Sequence, residues 1–204
     1  KNLKGILEFS KKLNKNKKFQ GKSFYFKCDV TKETKVKNLL KFLKKNKIKP
    51  DVLINNAAYN PDMKKNKRTI KNNFDLKFWK EDINVNLTGT FLCSKIIGNE
   101  MAKNKKGNII NIYSDLGLIS QDHRLYNDGK IYYTKPISYS VTKHGIIGLT
   151  KYLATYWAKE GIRCNCLIPG GVNNNQNKKF LKKISKLIPV GRMARTDEYK
   201  GAIK

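Results

Sequence analysis

The sequence predicts an α/β protein built on a parallel sheet, and three observations predict it. SFYFKCDV at 23–30 has the composition of a strand, 32–46 has the spacing of a helix, and DVLINN at 51–56 is an apolar strand, which gives strand, helix, strand. The near-continuous apolar run of DVLINN is what a strand covered on both faces by crossover helices requires. Two later helical stretches each lead into a further strand, NIINIYS at 108–114 and the strand within GIRCNCLIPGG at 161–171. At 204 residues with 39% apolar content, the chain is long enough for one domain, 1–204, with a sizeable core.

Residues 3–18 have an amphipathic helical pattern with Leu3, Ile6, Leu7 and Leu13 on the buried side. The strand at 23–30 follows and carries Asp29 near its end. Thr31 is placed to cap a helix over 32–46, with Glu33 and Thr34 in its first turn and Val36, Leu39, Leu40 and Leu43 as its apolar stripe. Pro50 and Asp51 punctuate before DVLINN. The segment 59–80 is polar and irregular until FDLKFWKEDI, where Phe74, Phe78 and Trp79 are expected to pin it to the body.

A long helix is predicted from Ile83 to about Lys103, with Asn86 inside its apolar progression and Asn84 at the surface or in a cap. A buried amide must find hydrogen-bond partners or cost stability. Gly107 separates this helix from the strand 108–114, which leaves Ser114 at the strand's mouth. A second long helix, 139–160, repeats Val141, Ile146, Leu149, Leu153, Tyr156 and Trp157 at helical spacing, with Gly145 and Gly148 permitting close approach. Beyond it Ile162, Cys164, Cys166 and Ile168 share one face of a strand, and Pro169 to Gly171 expose backbone at the same sheet edge as Ala57. A last helix is predicted to begin near Thr196.

No window reaches eighteen apolar residues, and the basic amino terminus lacks the apolar segment and cleavage site of a signal peptide, so a cytoplasmic protein without membrane contact is expected. Cys28, Cys93, Cys164 and Cys166 form no CxxC pair and are expected in the core, with no metal. The formal charge of +29 comes from lysine scattered along the whole chain. Arginine, the better reader of base edges, occurs five times, so no specific nucleic-acid site is expected, although weak attraction to polyanions at low salt is.

Tyr139 and Lys143 stand four apart and project from one face of the helix 139–160. A neighbouring ammonium favours a phenolate and lowers the tyrosine's pKa, which makes a general acid or base that works near neutrality. The pair alone is weak evidence. Read with LINNAA at 53–58, Asn86 in INVNLTGTF, Ser114 at the end of GNIINIYS, and GIRCNCLIPGG, the ordered set resembles the short-chain dehydrogenase/reductase family.

That resemblance implies a Rossmann-like, doubly wound parallel sheet and an NAD- or NADP-dependent oxidoreductase interconverting a secondary alcohol and a ketone. It assigns Asn86, Ser114, Tyr139 and Lys143 to catalysis, with Tyr139 as general acid and base, Lys143 lowering its pKa and Asn86 holding a proton path to Lys143. Cofactor contacts fall on Asp29 and Val30, on Asn56, Ala57 and Ala58, on Tyr139 and Lys143, and on Pro169, Gly170, Gly171 and Val172. Asp29 has a simpler reading, as a cap for the following helix. Ala58 stands where the family usually has glycine, and Asn173 to Asn175 stand where a phosphate-binding threonine is usual.

The family's opening strand, glycine-rich turn and second strand, and its final strand, have no counterpart in the sequence, so a partial domain is expected. The interval 115–138 is long and contains Gln121, Asp122, His123, Arg124 and Tyr126. With the lid at 173–188, which begins with Asn173 to Asn175 and Gln176, it points to a sugar-derived or polyhydroxylated substrate. There is a looser resemblance to reductases linked to bacterial nonulosonic-acid or amino-sugar synthesis. A homodimer or homotetramer is implied, paired through helices 83–103 and 139–160 by Phe91, Leu149, Tyr156 and Trp157. A catalytically inactive or non-enzymatic subunit, and a polyanion-binding protein, remain as alternatives.

Overall fold

The structure, a computed structural model, describes residues 3–17, 20–60, 74–126 and 134–203. Three strands, β1 (Val52–Asn55), β2 (Gly107–Ile112) and β3 (Ile162–Leu167), form a parallel sheet in the order β1-β2-β3. Parallel strands need a crossover, and helices supply it. α4 (Gly89–Lys103) lies between β1 and β2, α5 (Ile137–Tyr156) lies between β2 and β3, and α2 (Glu33–Lys45) precedes β1.

The register stacks side chains into two rungs on the helix-covered face. Leu53, Ile109 and Cys164 form one; Asn55, Asn111 and Cys166 form the next, nearer the carboxyl ends. The first rung is apolar and meets Val36 of α2, Leu92, Ile96, Ile97 and Met101 of α4, and Leu153 of α5, with Trp157 just past it; this is the core. The second rung is polar and lies directly beneath the mouth of the sheet. On the other face Val52 and Ile54 are exposed.

The predicted strand at 23–30 does not form. Residues 22–29 run without a ladder partner among the described residues and are held by side chains instead. Asn14 brackets Ser23 through Nδ2 to its carbonyl (2.9 Å) and Oδ1 from its amide (2.6 Å), and Ser10 Oγ also donates to that carbonyl. Phe24 and Phe26 pack on Phe42 of α2, while Val30 fills the groove at Gly89, where an added Cβ would come within 2.7 Å of it. Composition reported an extended segment correctly; pairing, which makes a strand, depends on a neighbour.

α1 (Leu3–Lys15) forms as predicted, but its inward face centres on buried Ser10, with Leu7 and Leu13 partly buried and Ile6 exposed. The polar bracket on Ser23 orients it. Thr31 is not a cap. The N-cap of α2 is Lys32 without a side-chain bond, and Asp29 Oδ1 accepts from the Thr31 amide (3.0 Å) and hydroxyl (2.7 Å).

The long helix begins earlier than its spacing predicts. α3 (Leu76–Ile83), capped by Asp75, continues through a π-helical turn at Asn84–Thr88 into α4. Phe78 and Trp79 are partly buried, but Phe74 is 76% exposed and is not packed into the body among the described residues. Gly145 is approached by Leu87, whereas no described residue comes near Gly148. Trp157, predicted for a subunit interface, is only 5% exposed and belongs to the core. α6 (Lys178–Ser185) lies within the predicted lid, and α7 (Lys200–Ile203) starts four residues beyond Thr196. The four cysteines are free thiols in or beside the core. Among the described residues no helix is long and apolar enough to cross a membrane.

Candidate active site

Ligands of an open α/β sheet meet the carboxyl ends of its strands, and the residues predicted for chemistry converge there. Ser114 follows β2, is buried, and donates from Oγ to Asp115 Oδ1 (2.9 Å). Tyr139 sits in the first turn of α5, which is anchored by Ser138 Oγ donating to Asp82 of α3, both fully buried. Lys143, one turn on, is 5% exposed; its Nζ donates to the Ile112 carbonyl (3.1 Å) and lies 5.7 Å from the Tyr139 ring centroid.

The electrostatics differ from the expectation in one respect. Burial holds the Tyr139 phenol above its ordinary value, the hydrogen bond with Ser114 pulls it down, and the Asp115 carboxylate adds to the rise. The Lys143 ammonium, whose lowering of that value the resemblance implies, donates to the Ile112 carbonyl and stands beside the ring. Burial in turn lowers the Lys143 ammonium below its usual value, with the Cys166 thiol opposing.

Two members of the site were missed. Asp115 bridges the Ser114 hydroxyl and the Leu116 amide through Oδ1. Lys135 places Nζ 4.4 Å from the Tyr139 ring centroid and donates to Asn60 Oδ1 at 2.7 Å. Its amine is pulled down to about 8, first by burial and then by the like charge of Lys143, with Asp115 opposing. Spacing offered a signal, since Lys135 precedes Tyr139 by the same four residues by which Lys143 follows it.

Asn86 lies in the π-helical turn, a local widening often found at functional sites. It is 1% exposed and finds the partners its burial demands. Oδ1 accepts from the Tyr59 amide (2.6 Å) and Nδ2 donates to the Tyr59 carbonyl (3.1 Å). Its side chain therefore fixes the loop after β1.

The loop and lid separate into solvent-facing and inward-facing groups. Arg124 pairs with Asp122, holds its carboxyl at about 2, and is 85% exposed. His123 Nδ1 meets Thr134 Oγ1 at 2.6 Å. Gln176 and Asn173 close turns within their own segment, with Asn174 and Asn175 respectively. By contrast Tyr126 turns inward; burial pushes its hydroxyl up to about 12, with the Tyr139 and Asp115 charges adding. Its ring packs on Phe180 of α6 at 5.9 Å, and Lys183 Nζ donates to the Arg124 carbonyl, so the described parts of loop and lid touch.

The residues present suit a nicotinamide cofactor on its ribose and carboxamide side. An ammonium carries three donors, and Lys143 shows one acceptor among the described residues. Asn56, Ala57 and Ala58 are exposed at the end of β1, small enough for a flat group to rest on their backbone. Opposite them Pro169 to Val172 form a strap tied down by Asn173 N to Ala194 O and Ala194 N to Gly171 O. An added Cβ at Gly171 would come within 2.8 Å of Met193, whereas Gly170 has room. Asp29, for which the resemblance implies a contact with the adenine, is exposed in its turn with Thr31, and Val30 is turned toward α4.

Comparison with known proteins places this geometry. The family model described as Enoyl-(Acyl carrier protein) reductase matches residues 7–204. A 3-oxoacyl-[acyl-carrier-protein] reductase of Synechocystis is 31% identical over 185 residues, 90% of this chain and 68% of that protein. A 2-dehydro-3-deoxy-D-gluconate 5-dehydrogenase of Bacillus subtilis is 31% identical over 182 residues, 86% of this chain and 64% of that protein. The crystal structure of a short chain dehydrogenase from Leptospira borgpetersenii with bound NAD+ is 32% identical, with a TM-score of 0.77 over 90% of this chain and 71% of that one. A Rossmann-like parallel sheet, a Ser–Tyr–Lys cluster at its carboxyl mouth and these matches agree: the chain belongs to the short-chain dehydrogenase/reductase family of NAD(P)-dependent oxidoreductases.

Proposed function

We propose that Tyr139, Ser114, Lys143 and Asn86 form the catalytic set of an enzyme that interconverts a polyhydroxylated secondary alcohol and its ketone. The observation that carries this reading is the convergence of Ser114, Tyr139 and Lys143 where β2 ends. Tyr139 transfers the proton of the substrate oxygen, and Ser114, which acts on the Tyr139 phenol, orients that oxygen. Lys143 holds the ribose, and Asn86 keeps the loop after β1 in place through Tyr59. When bound, NAD or NADP supplies or accepts the hydride; Asp29, Val30, Asn56, Ala57, Ala58 and the strap Pro169, Gly170, Gly171 and Val172 would hold it. The chain acts as one domain, with 115–138 as substrate loop and 173–188 as lid.

A polyhydroxylated substrate is favoured by two inward-facing groups of the loop. Gln121 Oε1 is buried without a partner among the described residues, and the Tyr126 hydroxyl is buried where the charge of Tyr139 reaches it. Buried polar groups select substrates that satisfy them. The asparagines of the lid, engaged in their own turns, take no part in this argument. A screen of the full-length protein following nicotinamide absorbance, with NAD and NADP against sugar derivatives and simple ketones, is expected to favour the sugar derivatives. Equal turnover of unfunctionalised apolar ketones, unchanged in Gln121→Leu, would sink the substrate reading.

The same helices carry a proposal for assembly. Phe91 of α4 and Tyr152 and Tyr156 of α5 are exposed, the two tyrosines stacked at 5.7 Å, and we assign them to a homodimer or homotetramer contact. Sedimentation at micromolar concentration is expected to give a dimer or tetramer that Tyr152→Lys together with Tyr156→Lys dissociates. A monomeric wild type overturns it.

A further inference from the structure

We propose that Lys135 is a specificity-determining residue that reads a carboxylate carried by the substrate beside its reacting carbon. This rests on the reading of Tyr139 as the group that serves the reacting oxygen. Two ammonium groups flank the Tyr139 ring, Lys135 Nζ at 4.4 Å and Lys143 Nζ at 5.7 Å from its centroid. Each is anchored by a neutral oxygen, Asn60 Oδ1 for Lys135 and the Ile112 carbonyl for Lys143. Among the described residues the carboxylate that acts on Lys135, that of Asp115, already accepts from the Ser114 hydroxyl and the Leu116 amide. Among the described residues the mouth of β2 thus holds more positive than negative charge, in a setting partly removed from water.

Among the described residues neither ammonium has an ion partner, and a partly desolvated ammonium so placed is in an unfavourable state that a bound anion relieves. The two lysines differ in what they can offer. Lys143 is 5% exposed and fixed on the strand, whereas Lys135 is partly buried and reaches across from the start of α5 to the loop after β1. It remains largely protonated at neutral pH, since its value is about 8. An ammonium over the tyrosine ring is within reach of a group attached next to the carbon whose oxygen the phenol serves. A carboxylate there accepts from Lys135 Nζ in a charge-assisted bond, and an amide or ester of the same shape forms only a neutral one.

The test pairs turnover with binding. In the full-length enzyme, kcat/KM is measured for polyhydroxylated 2-hydroxy acids and for their primary amides, in wild type, Lys135→Met and Lys135→Arg, at constant ionic strength. Wild type is expected to prefer the acids, Lys135→Met to lose about 10- to 100-fold on the acids through KM with little change on the amides, and Lys135→Arg to restore part of the preference. Independently, malonate is titrated calorimetrically into each variant, its folded state verified by circular dichroism. Binding to wild type that weakens at least tenfold in Lys135→Met and recovers in Lys135→Arg supports the site. Turnover without acid preference, or malonate affinity unchanged by Lys135→Met or absent in wild type, overturns the carboxylate proposal and leaves the catalytic reading standing. Lys135-dependent malonate binding in a protein that turns over no alcohol or ketone does the reverse.

Discussion

Tyr139→Phe is expected to lower turnover by about 10²- to 10⁴-fold at equal cofactor occupancy, the range that a positioned proton-transfer group contributes. The substitution is unusually clean at this position. The ring stays, and with it the packing of Lys135 and Lys143 against its face, so only the hydroxyl and its bond with Ser114 are removed. The melting temperature should therefore move little, which separates a chemical loss from a folding loss. The direction of the pH profile follows from the same environment. Burial holds the phenol above its ordinary value, so near neutrality it stands protonated, ready to donate to a ketone oxygen. Alcohol oxidation needs the deprotonated form, so its rate rises with pH in the wild type, and that rise is absent in Tyr139→Phe. A phenylalanine variant that keeps most of the turnover, or the same rising profile, would falsify the assignment of Tyr139.

What the sequence made legible divides along physical lines. Helical spacing recurs locally, so α2, α4 and α5 were readable to within a few residues, and so were Tyr139 and Lys143, four apart on one of them. Asn86 was recognisable as an amide in an apolar stripe that owed itself a partner, but the partner, the Tyr59 backbone 27 residues away, is a tertiary fact. The segment 23–30 had the right composition for a strand and lacked what composition cannot report, a neighbour to pair with. Asp115 was passed over because it adjoins Ser114, and Lys135 because it stands one helical turn before Tyr139, outside the predicted helix 139–160. Lys135 also stood among so many lysines that its one unusual property, an ammonium laid on the face of Tyr139, had no local trace.

Asn111 was the most consequential omission, because a strand residue acquires its meaning from register, and register is set by pairing across the sheet. In NIINI it is one of two asparagines; in the sheet it is 0% exposed and shares a rung with Asn55 and Cys166. Asn55 Nδ2 donates to Ser94 Oγ (3.0 Å) and to Asn111 Oδ1 (2.8 Å), and Asn111 Nδ2 donates to Thr150 Oγ1 (2.8 Å), which donates onward to the Ile146 carbonyl (2.7 Å). One chain of bonds thereby ties β1, α4, β2 and α5 together immediately beneath the site. Asn111→Leu nearly conserves volume but leaves a donor of Asn55 buried and unmatched and takes from Thr150 Oγ1 its amide donor, leaving it only the weak Cys166 thiol, at about 1–3 kcal/mol for each such group.

The expected loss is about 2–4 kcal/mol, or roughly 5–15 °C in melting temperature for a chain of this size. Turnover should fall as well, because the next residue, Ile112, supplies the carbonyl that holds Lys143. Asn55→Leu combined with Asn111→Leu is expected to cost less than the sum of the two alone, since Asn55→Leu removes the donor that Asn111→Leu strands. Strict additivity would mean that the two amides act independently. A wild-type melting temperature in Asn111→Leu would mean that this polar rung contributes nothing to holding Ser114, Tyr139 and Lys143 in one place.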